Sequence, residues 1–362
     1  MNKPTIRFKG FEGEWKDSML SDFSYSICSG RDTAHKGIYP LYGSTGIIGT
    51  TNKPSYNGAM LLVARVGANA GKLQIINEEC GVSDNTLIIK PNGNISVSWL
   101  YYYLVHCNLN HLVYGSGQPL ITGYMLKRIP ILLGSKKECD EIASYFTSLD
   151  AQIAASTSRL SSLKQIKAAS LLNMFPQKGE MVPRVRFKGF QGEWKEIKLG
   201  EIFSVEIGEF VIKTKQKNNA PYPVYNGGVS NTGFYDCYNQ EGPKIIVSAR
   251  GANAGYVNYC TTDFWAGNSC YSIGAKNNDE LKFFFYFLKR FQEIYMKNQY
   301  SASIPSISKQ QILRTNLIYP SLPEQRAIAS YFTALDAQIT LQRERLEKLK
   351  QIKAACLEKM FV

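Results

Sequence analysis

The residues able to do covalent chemistry are few and poorly placed. Gly67-Ala68-Asn69-Ala70-Gly71-Lys72 has the look of a phosphate-cradling loop, but it is one residue short of G-x-x-x-x-G-K-[ST] and is followed by Leu73. The second copy of this run, Gly251 to Gly255, carries Tyr256 where the lysine would stand. The eight cysteines form no C-x-x-C pair, and the three histidines (His35, His106, His111) all fall in the first half, so zinc spacings are missing and a duplicated His-dependent site is excluded. Free, mostly buried thiols in a reducing compartment are the expectation. There is no N-P-P-[FY] or D-P-P-Y run of an amino-methyltransferase, and no nuclease-like carboxylate–lysine cluster stands out.

What remains is binding chemistry. Candidate contact residues are Tyr42, Ser44, Thr45, Arg65, Asn69, Lys72, Ser116 and Gln118 in the first half, and Tyr225, Asn226, Arg250, Asn253, Tyr256, Ser301, Ser303 and Lys309 in the second. They sit in loops such as Gly43-Ser44-Thr45-Gly46 and Asn226-Gly227-Gly228. Such loops bring backbone close to a phosphate and let side chains reach base edges. Ordinary turn chemistry accounts for the Gly and Asn content equally well. The net charge of +13 favours a polyanionic partner, and solubility is the plainer reading of it.

The elements that must position these loops are duplicated. Arg7-Phe8-Lys9-Gly10-Phe11-Glu12-Gly13-Glu14-Trp15-Lys16 returns as Arg186 to Lys195 with one residue changed, 179 positions later. The Gly-Ala-Asn-Ala-Gly run returns after 184 positions, and Ile142–Thr147 and Leu163–Ala169 both return after 186. Insertions therefore accumulate in the first part of the module and stop in its last part. One part is held fixed while the other varies.

The fixed part reads as a helix of about 40 residues, roughly 60 Å long, present twice. Ser135-Lys136-Lys137-Glu138 and Ser321-Leu322-Pro323-Glu324 fit the capping box, with each Glu expected to reach back to its Ser. Apolar residues then step by four and three: Ile142, Phe146, Leu149, Ile153, Leu160 and Leu163, repeated as Ile328, Phe332, Leu335, Ile339, Leu346 and Leu349. This heptad seam is interrupted at the same place in both copies, by Ser156 and Gln342. Two seams in one chain most simply pair with each other; packing of each helix on its own domain is the competing reading. The variable part reads as an α+β domain. Its strands include Met60–Ala64, Thr86–Ile89, Lys244–Ser248 and Cys270–Ile273, and one later helix falls near Val97–Asn110 and again near Asn278–Lys297. The expected divisions are 1–134, 135–176, 177–320 and 321–362.

With these residues in view, the chain resembles the specificity subunit of bacterial type I restriction–modification systems over essentially its whole length. Arg7-Phe8 to Trp15 with its copy, the two strand–GANAG segments, and Leu322-Pro323-Glu324-Gln325-Arg326 leading into Tyr331 to Asp336 carry the likeness. The first helix departs from it by starting Gly134-Ser135-Lys136-Lys137-Glu138.

The resemblance implies two target-recognition domains joined by two long antiparallel coiled-coil helices in a pseudo-twofold repeat. Each domain reads half of a bipartite double-stranded DNA target. The helices set the spacer and dock two methyltransferase subunits, through which motor–nuclease subunits join. S-adenosylmethionine, ATP and Mg belong to those partners, with no cofactor on this chain. Alternatives are an orphan or exchangeable subunit serving a methyltransferase only, a stand-alone enzyme, and a tandem scaffold without DNA. With no apolar run of membrane-spanning length and a polar N-terminal stretch, the expected compartment is the cytoplasm.

Overall fold

The computed structural model describes residues 2–112, 119–275, 280–297 and 305–362. Contacts divide the chain into two compact units: Met1–Ser158 with Arg343–Val362, and Arg159–Gln342. Each unit thus owns one variable domain, the first part of one long helix and the last part of the other.

Unit 1 contains, in chain order, β1 (Lys16–Met19), β2 (Ser24–Ser29), β3 (Tyr39–Gly43), β4 (Gly46–Thr51), β5 (Ala59–Ala64), β6 (Leu73–Asn77), β7 (Gly81–Val82), β8 (Thr86–Pro91), helix α1 (Val97–His106), α2 (Gly123–Lys127), β9 (Pro130–Leu133) and the start of α3 (Lys136–Asn173). Unit 2 repeats the series: β10 (Lys195–Lys198), α4 (Leu199–Ile202), β11 (Phe203–Ile207), β12 (Tyr222–Tyr225), β13 (Gly233–Tyr235), β14 (Lys244–Ser248), β15 (Val257–Cys260), β16 (Trp265–Ala266), β17 (Cys270–Ala275), α5 (Leu281–Lys297), α6 (Lys309–Leu313), β18 (Asn316–Tyr319) and the start of α7 (Leu322–Lys359). The sheet orders are the same in both: β2-β8-β5-β6 matches β11-β17-β14-β15, β4-β3-β7 matches β13-β12-β16, and β1-β9 matches β10-β18.

The four-stranded sheet is buried on both faces, which explains its unbroken apolar runs. Alternation along β5 sends Leu61 and Val63 to the core formed with Trp99, Leu100, Tyr103 and Leu104 of α1. Met60 and Leu62 face the other way, with Ile76 and Ile88, toward Tyr42 and Val82 of the three-stranded sheet. In unit 2, Ile245 and Val247 take the first role and Ile246 the second.

The helices run in opposite directions within each unit. In unit 1 the Tyr145 hydroxyl lies 3.4 Å from Cys356 Sγ, and Lys353 Nζ donates to Asp150 Oδ1 at 2.5 Å. In unit 2, Ser170 and Tyr331 hydroxyls lie 2.9 Å apart, and Lys167 pairs with Asp336. Both readings of the seam are realised. Ile142 and Phe146 belong to the domain core of unit 1, Ile328 and Phe332 to that of unit 2. Further along, Leu149, Leu160, Leu335, Ile339 and Leu346 are buried, while Ile153, Leu163 and Leu349 are half-buried. Ser156 and Gln342, at 5% and 8% exposure, lie inside the seam.

The capping glutamates behave otherwise than expected. The Glu138 amide does donate to Ser135 Oγ at 3.3 Å, but the Glu138 carboxylate does not return to Ser135. It accepts from Arg7 Nε at 2.6 Å and Arg7 Nη2 at 2.8 Å, and from Trp15 Nε1 at 3.2 Å. Glu324 accepts from Arg186 in the same bidentate way, both distances being 2.7 Å. A buried carboxylate is better served by a guanidinium fork than by one amide. The repeated decapeptide is thereby explained: it carries the clamp for the helix start. Each helix end is also held. Ile6 N donates to Lys359 O and Val185 N to Asn173 O, each at 2.9 Å. Beyond those ends, Phe361 packs against Trp15, Trp99, Tyr103 and Phe146, and Phe175 against Trp194, Phe283, Phe287 and Phe332.

Candidate nucleic-acid interface

The Gly-Ala-Asn-Ala-Gly runs are hairpin turns joining β5 to β6 and β14 to β15. Gly71 N donates back to Ala64 O at 2.9 Å, and Gly255 N to Ser248 O at 2.7 Å. Gly71 and Gly255 have φ of 89° and 88°, and a Cβ there would strike Asn110 and Tyr295. Conformation and packing both demand glycine, and neither concerns a phosphate.

Around the first of these turns the predicted residues gather. Ser44 and Thr45 form the tip between β3 and β4, with Ser44 Oγ donating to Asn85 O at 2.7 Å. They line a polar cleft of about 270 Å³ with the exposed Lys72. Asn69 lies in the turn itself, half-buried, and Arg65 precedes it, half-buried, its backbone amide bonded to Asn85 O at 2.9 Å. Tyr42 does not join them. It is a core residue at 5% exposure, its hydroxyl donating to Glu78 at 2.5 Å; burial and then that bond push the phenol up to about 12. Its ring is closed off by the apolar side chains between the two sheets, so the expected surface contact is corrected to a packing role.

In unit 2, Arg250 and Lys309 are exposed, and Arg250 forms a backbone bridge to Ser306. Asn253 lies half-buried in its turn. Asn226 Oδ1 accepts from Ser269 N at 3.1 Å, and Tyr225 stands edge-on to Phe264 with its phenol raised to about 12 by burial. Tyr256 carries Lys289 Nζ 3.9 Å above its ring. Ser116, Gln118, Ser301 and Ser303 lie outside the described residues.

Two features were missed by sequence reasoning. Gln74 and Thr86 complete the cleft of unit 1. Among the described residues, Arg65 Nε, Ser83 Oγ and Thr86 Oγ1 are buried without a hydrogen-bond partner, all three around the loop that enters β8. Native interiors rarely leave such groups unpaired, so water or a bound ligand is their expected partner. The second is a node repeated in each unit. Asp150 accepts from Tyr102 at 2.8 Å and from Lys353, while Asp336 accepts from Tyr286 at 2.9 Å and from Lys167. The available signal for it was the repeat of Asp150 and Lys167 at 186 residues, with Tyr102 repeating at 184.

Among the described residues no group of three or more His, Cys, Asp and Glu could hold a metal ion, and no helix is long and apolar enough to cross a membrane.

Comparison with known proteins agrees with this architecture. The family described as "Type I restriction modification DNA specificity domain" matches residues 12–165 and again 191–351. A Mycoplasma genitalium protein named as a type I specificity subunit is 23% identical over 303 residues, spanning 82% of this chain and 79% of its own length. The specificity subunit of the Escherichia coli type I restriction enzyme EcoprrI is 24% identical over 176 residues, 46% of this chain and 43% of its own. The crystal structure of the type I S subunit from M. genitalium superposes with a TM-score of 0.76 at 20% identity, covering 99% of each chain. A chain from a study of complex assembly and conformational transition of the type I system gives 0.54 at 16% identity, covering 98% of this chain and 99% of that one. A duplicated α+β domain, a duplicated long helix and a family match to both copies have one reading: the chain belongs to the DNA specificity subunits of type I restriction–modification systems.

Proposed function

We propose that the chain is the non-catalytic reader of such a system. Each variable domain reads one half of a bipartite double-stranded DNA target. The paired helices set the unread spacer and dock two methyltransferase subunits, with motor–nuclease subunits joining through them. S-adenosylmethionine, ATP and Mg are held by those partners, and the assembly works in the cytoplasm. Residues 1–134 and 177–320 are the readers; 135–176 and 321–362 are the spacer helices. The contact set is Ser44, Thr45, Arg65, Asn69, Lys72, Ser116 and Gln118 with Tyr225, Asn226, Arg250, Asn253, Tyr256, Ser301, Ser303 and Lys309; Tyr42 is left out because it is core.

The observation that carries this reading is a contrast within the chain. The same sheet orders are built twice, the helices repeat without insertion and keep their apolar seam and Asp–Lys nodes, and the loops at the sheet edges differ in both length and residues. A fixed frame carrying two different loop sets suits two different half-sites. The test is to assemble the chain with its methyltransferase subunits and map methylated positions, then exchange residues 196–320 for those of another specificity subunit. The expected result is a split motif in which one half alone changes. An undivided motif, or both halves changing together, refutes the reading.

A further inference from the structure

We propose that the cleft of unit 1 is a base-reading site in which Gln74 recognises an adenine edge, Lys72 holds the adjoining phosphate, and Thr86 supplies a hydroxyl to the bound edge. The proposal rests on the DNA-reading function above and names the residues of one half-site.

The cleft arises where the core between the two sheets stops being apolar. Along one face of the four-stranded sheet, Met60, Leu62, Ile76 and Ile88 are buried against Tyr42. Continuing by strand alternation, the same face carries Gln74 on β6, opposite Leu62, and Thr86 on β8, opposite Ala64. The Ser44–Thr45 tip forms the remaining wall. Thr86 is 1% exposed and its Oγ1 has no partner. The side chains of Lys72 and Gln74 form no hydrogen bond or ion pair among the described residues, although both residues line the cleft. A carboxamide offers one donor and one acceptor side by side, the pattern that matches N7 and N6 of adenine in the major groove.

Unit 2 supplies an internal control. The position of Gln74 is taken by Asn258, whose Nδ2 donates to Gly228 O at 3.4 Å, and Ser248 Oγ donates to the same oxygen at 3.1 Å. Thr86 is replaced by Cys270, whose Sγ donates to Tyr225 O and Gly267 O at 3.2 Å each. Lys72 is replaced by Tyr256, covered by Lys289. In the second copy the Asn258 and Cys270 side chains have internal hydrogen-bond partners and the Tyr256 ring is covered by Lys289, whereas the side chains of Lys72, Gln74 and Thr86 have no hydrogen-bond partner in the first.

The experiment uses the full chain assembled with its methyltransferase subunits and a library of random duplexes, from which retained sequences are read. The wild type is expected to select a split motif. Gln74→Ala is expected to lower the adenine preference at one position of one half-site by at least about fivefold, the small end of a bidentate contact. Gln74→Glu is expected to move that position toward cytosine, whose amino group a carboxylate accepts. Lys72→Ala should weaken all sequences alike and reduce the salt slope by about one ion. Thr86→Val, which removes a hydroxyl with no internal partner, should fold as well as wild type yet relax selectivity. An undivided wild-type motif would overturn the proposed function itself. A split wild-type motif retained unchanged by both Gln74 variants would overturn the cleft alone. Loss of both half-sites in both variants would also overturn it, because that outcome marks a structural role.

Discussion

Lys353 Nζ stands 2.5 Å from Asp150 Oδ1 across the helix pair of unit 1. Lys167 and Asp336 repeat the relation in unit 2 with the helices exchanged. Each carboxylate also accepts from a tyrosine of its variable domain, so domain, first helix and second helix meet at one side chain.

These nodes are partly open to water, Asp150 being 36% exposed and Lys353 22%. Screening therefore limits them, and Lys353→Met or Lys167→Met should each cost no more than about 1 kcal/mol. The urea midpoint of each variant checks this. A loss several times larger would mean that the pair carries the helix packing.

The arginine clamps should behave differently. Glu138 and Glu324 are 0% and 1% exposed. Removing the guanidinium strands a buried charge, at a cost of about 3–5 kcal/mol. Arg186→Met should cost more than Arg7→Met, because Glu138 keeps its bond from Trp15 while Trp194 Nε1 is buried without a partner. Denaturant unfolding followed separately in the two units reads the order, and the reverse order would contradict the proposed role of Trp15.

Phe361 is 3% exposed and packed by five aromatic rings of unit 1, those of Trp15, Trp99, Tyr103, His106 and Phe146. Phe361→Ala should destabilise unit 1 by about 3–5 kcal/mol and leave unit 2 nearly untouched. Hydrogen exchange is the measurement: α1 amides should lose protection and α5 amides keep theirs. Equal loss in both units would show that the effect is not local.

Burial, and then repulsion from Lys167, hold the Lys289 ammonium down at about 8. An unfolded lysine titrates at ~10.4. Between these values the unfolded chain binds more protons, so this group makes the fold more stable as pH rises through that window. Lys289→Met should remove that increment, and the gap between wild-type and variant stability should change from about pH 8 to ~10.4. Parallel curves across the window would exclude it.

Inserting one heptad into both helices, at Ser156 and Gln342, should lengthen the unread spacer by about three base pairs, since seven residues add about 10 Å against about 3.4 Å per step. The half-sites should remain. Insertion nearer Ile142 should instead damage the domain core to which that residue belongs. Motif mapping decides the matter: an unchanged spacer would mean that the helices are not the ruler.

The repeat, the two helices and the main strands were legible because periodicity is written locally. Leu61 and Met60 point to opposite faces by strand geometry alone, and Ile142 and Phe146 follow a helix seam. The partners of the capping glutamates were not legible. Arg7 and Glu138 lie 131 residues apart, and the capping-box pattern offered a nearer partner that burial overrode. Tyr42 misled for a similar reason: a tyrosine beside glycines looks like a contact residue until the second sheet is laid over it. Gln74 and Thr86 escaped notice because nothing in a strand's own sequence tells whether its last polar residue finds a partner.

Unit 2 is one continuous stretch, Arg159–Gln342, whereas unit 1 is in two pieces. During synthesis the second unit has all its residues before the first does. Until residues 343–362 emerge, Trp15, Trp99 and Phe146 lack the ring of Phe361 that closes them, and the Ile6 amide lacks the Lys359 carbonyl. The domain made first is therefore completed last, and it waits with aromatic surface open to chaperones and to other chains.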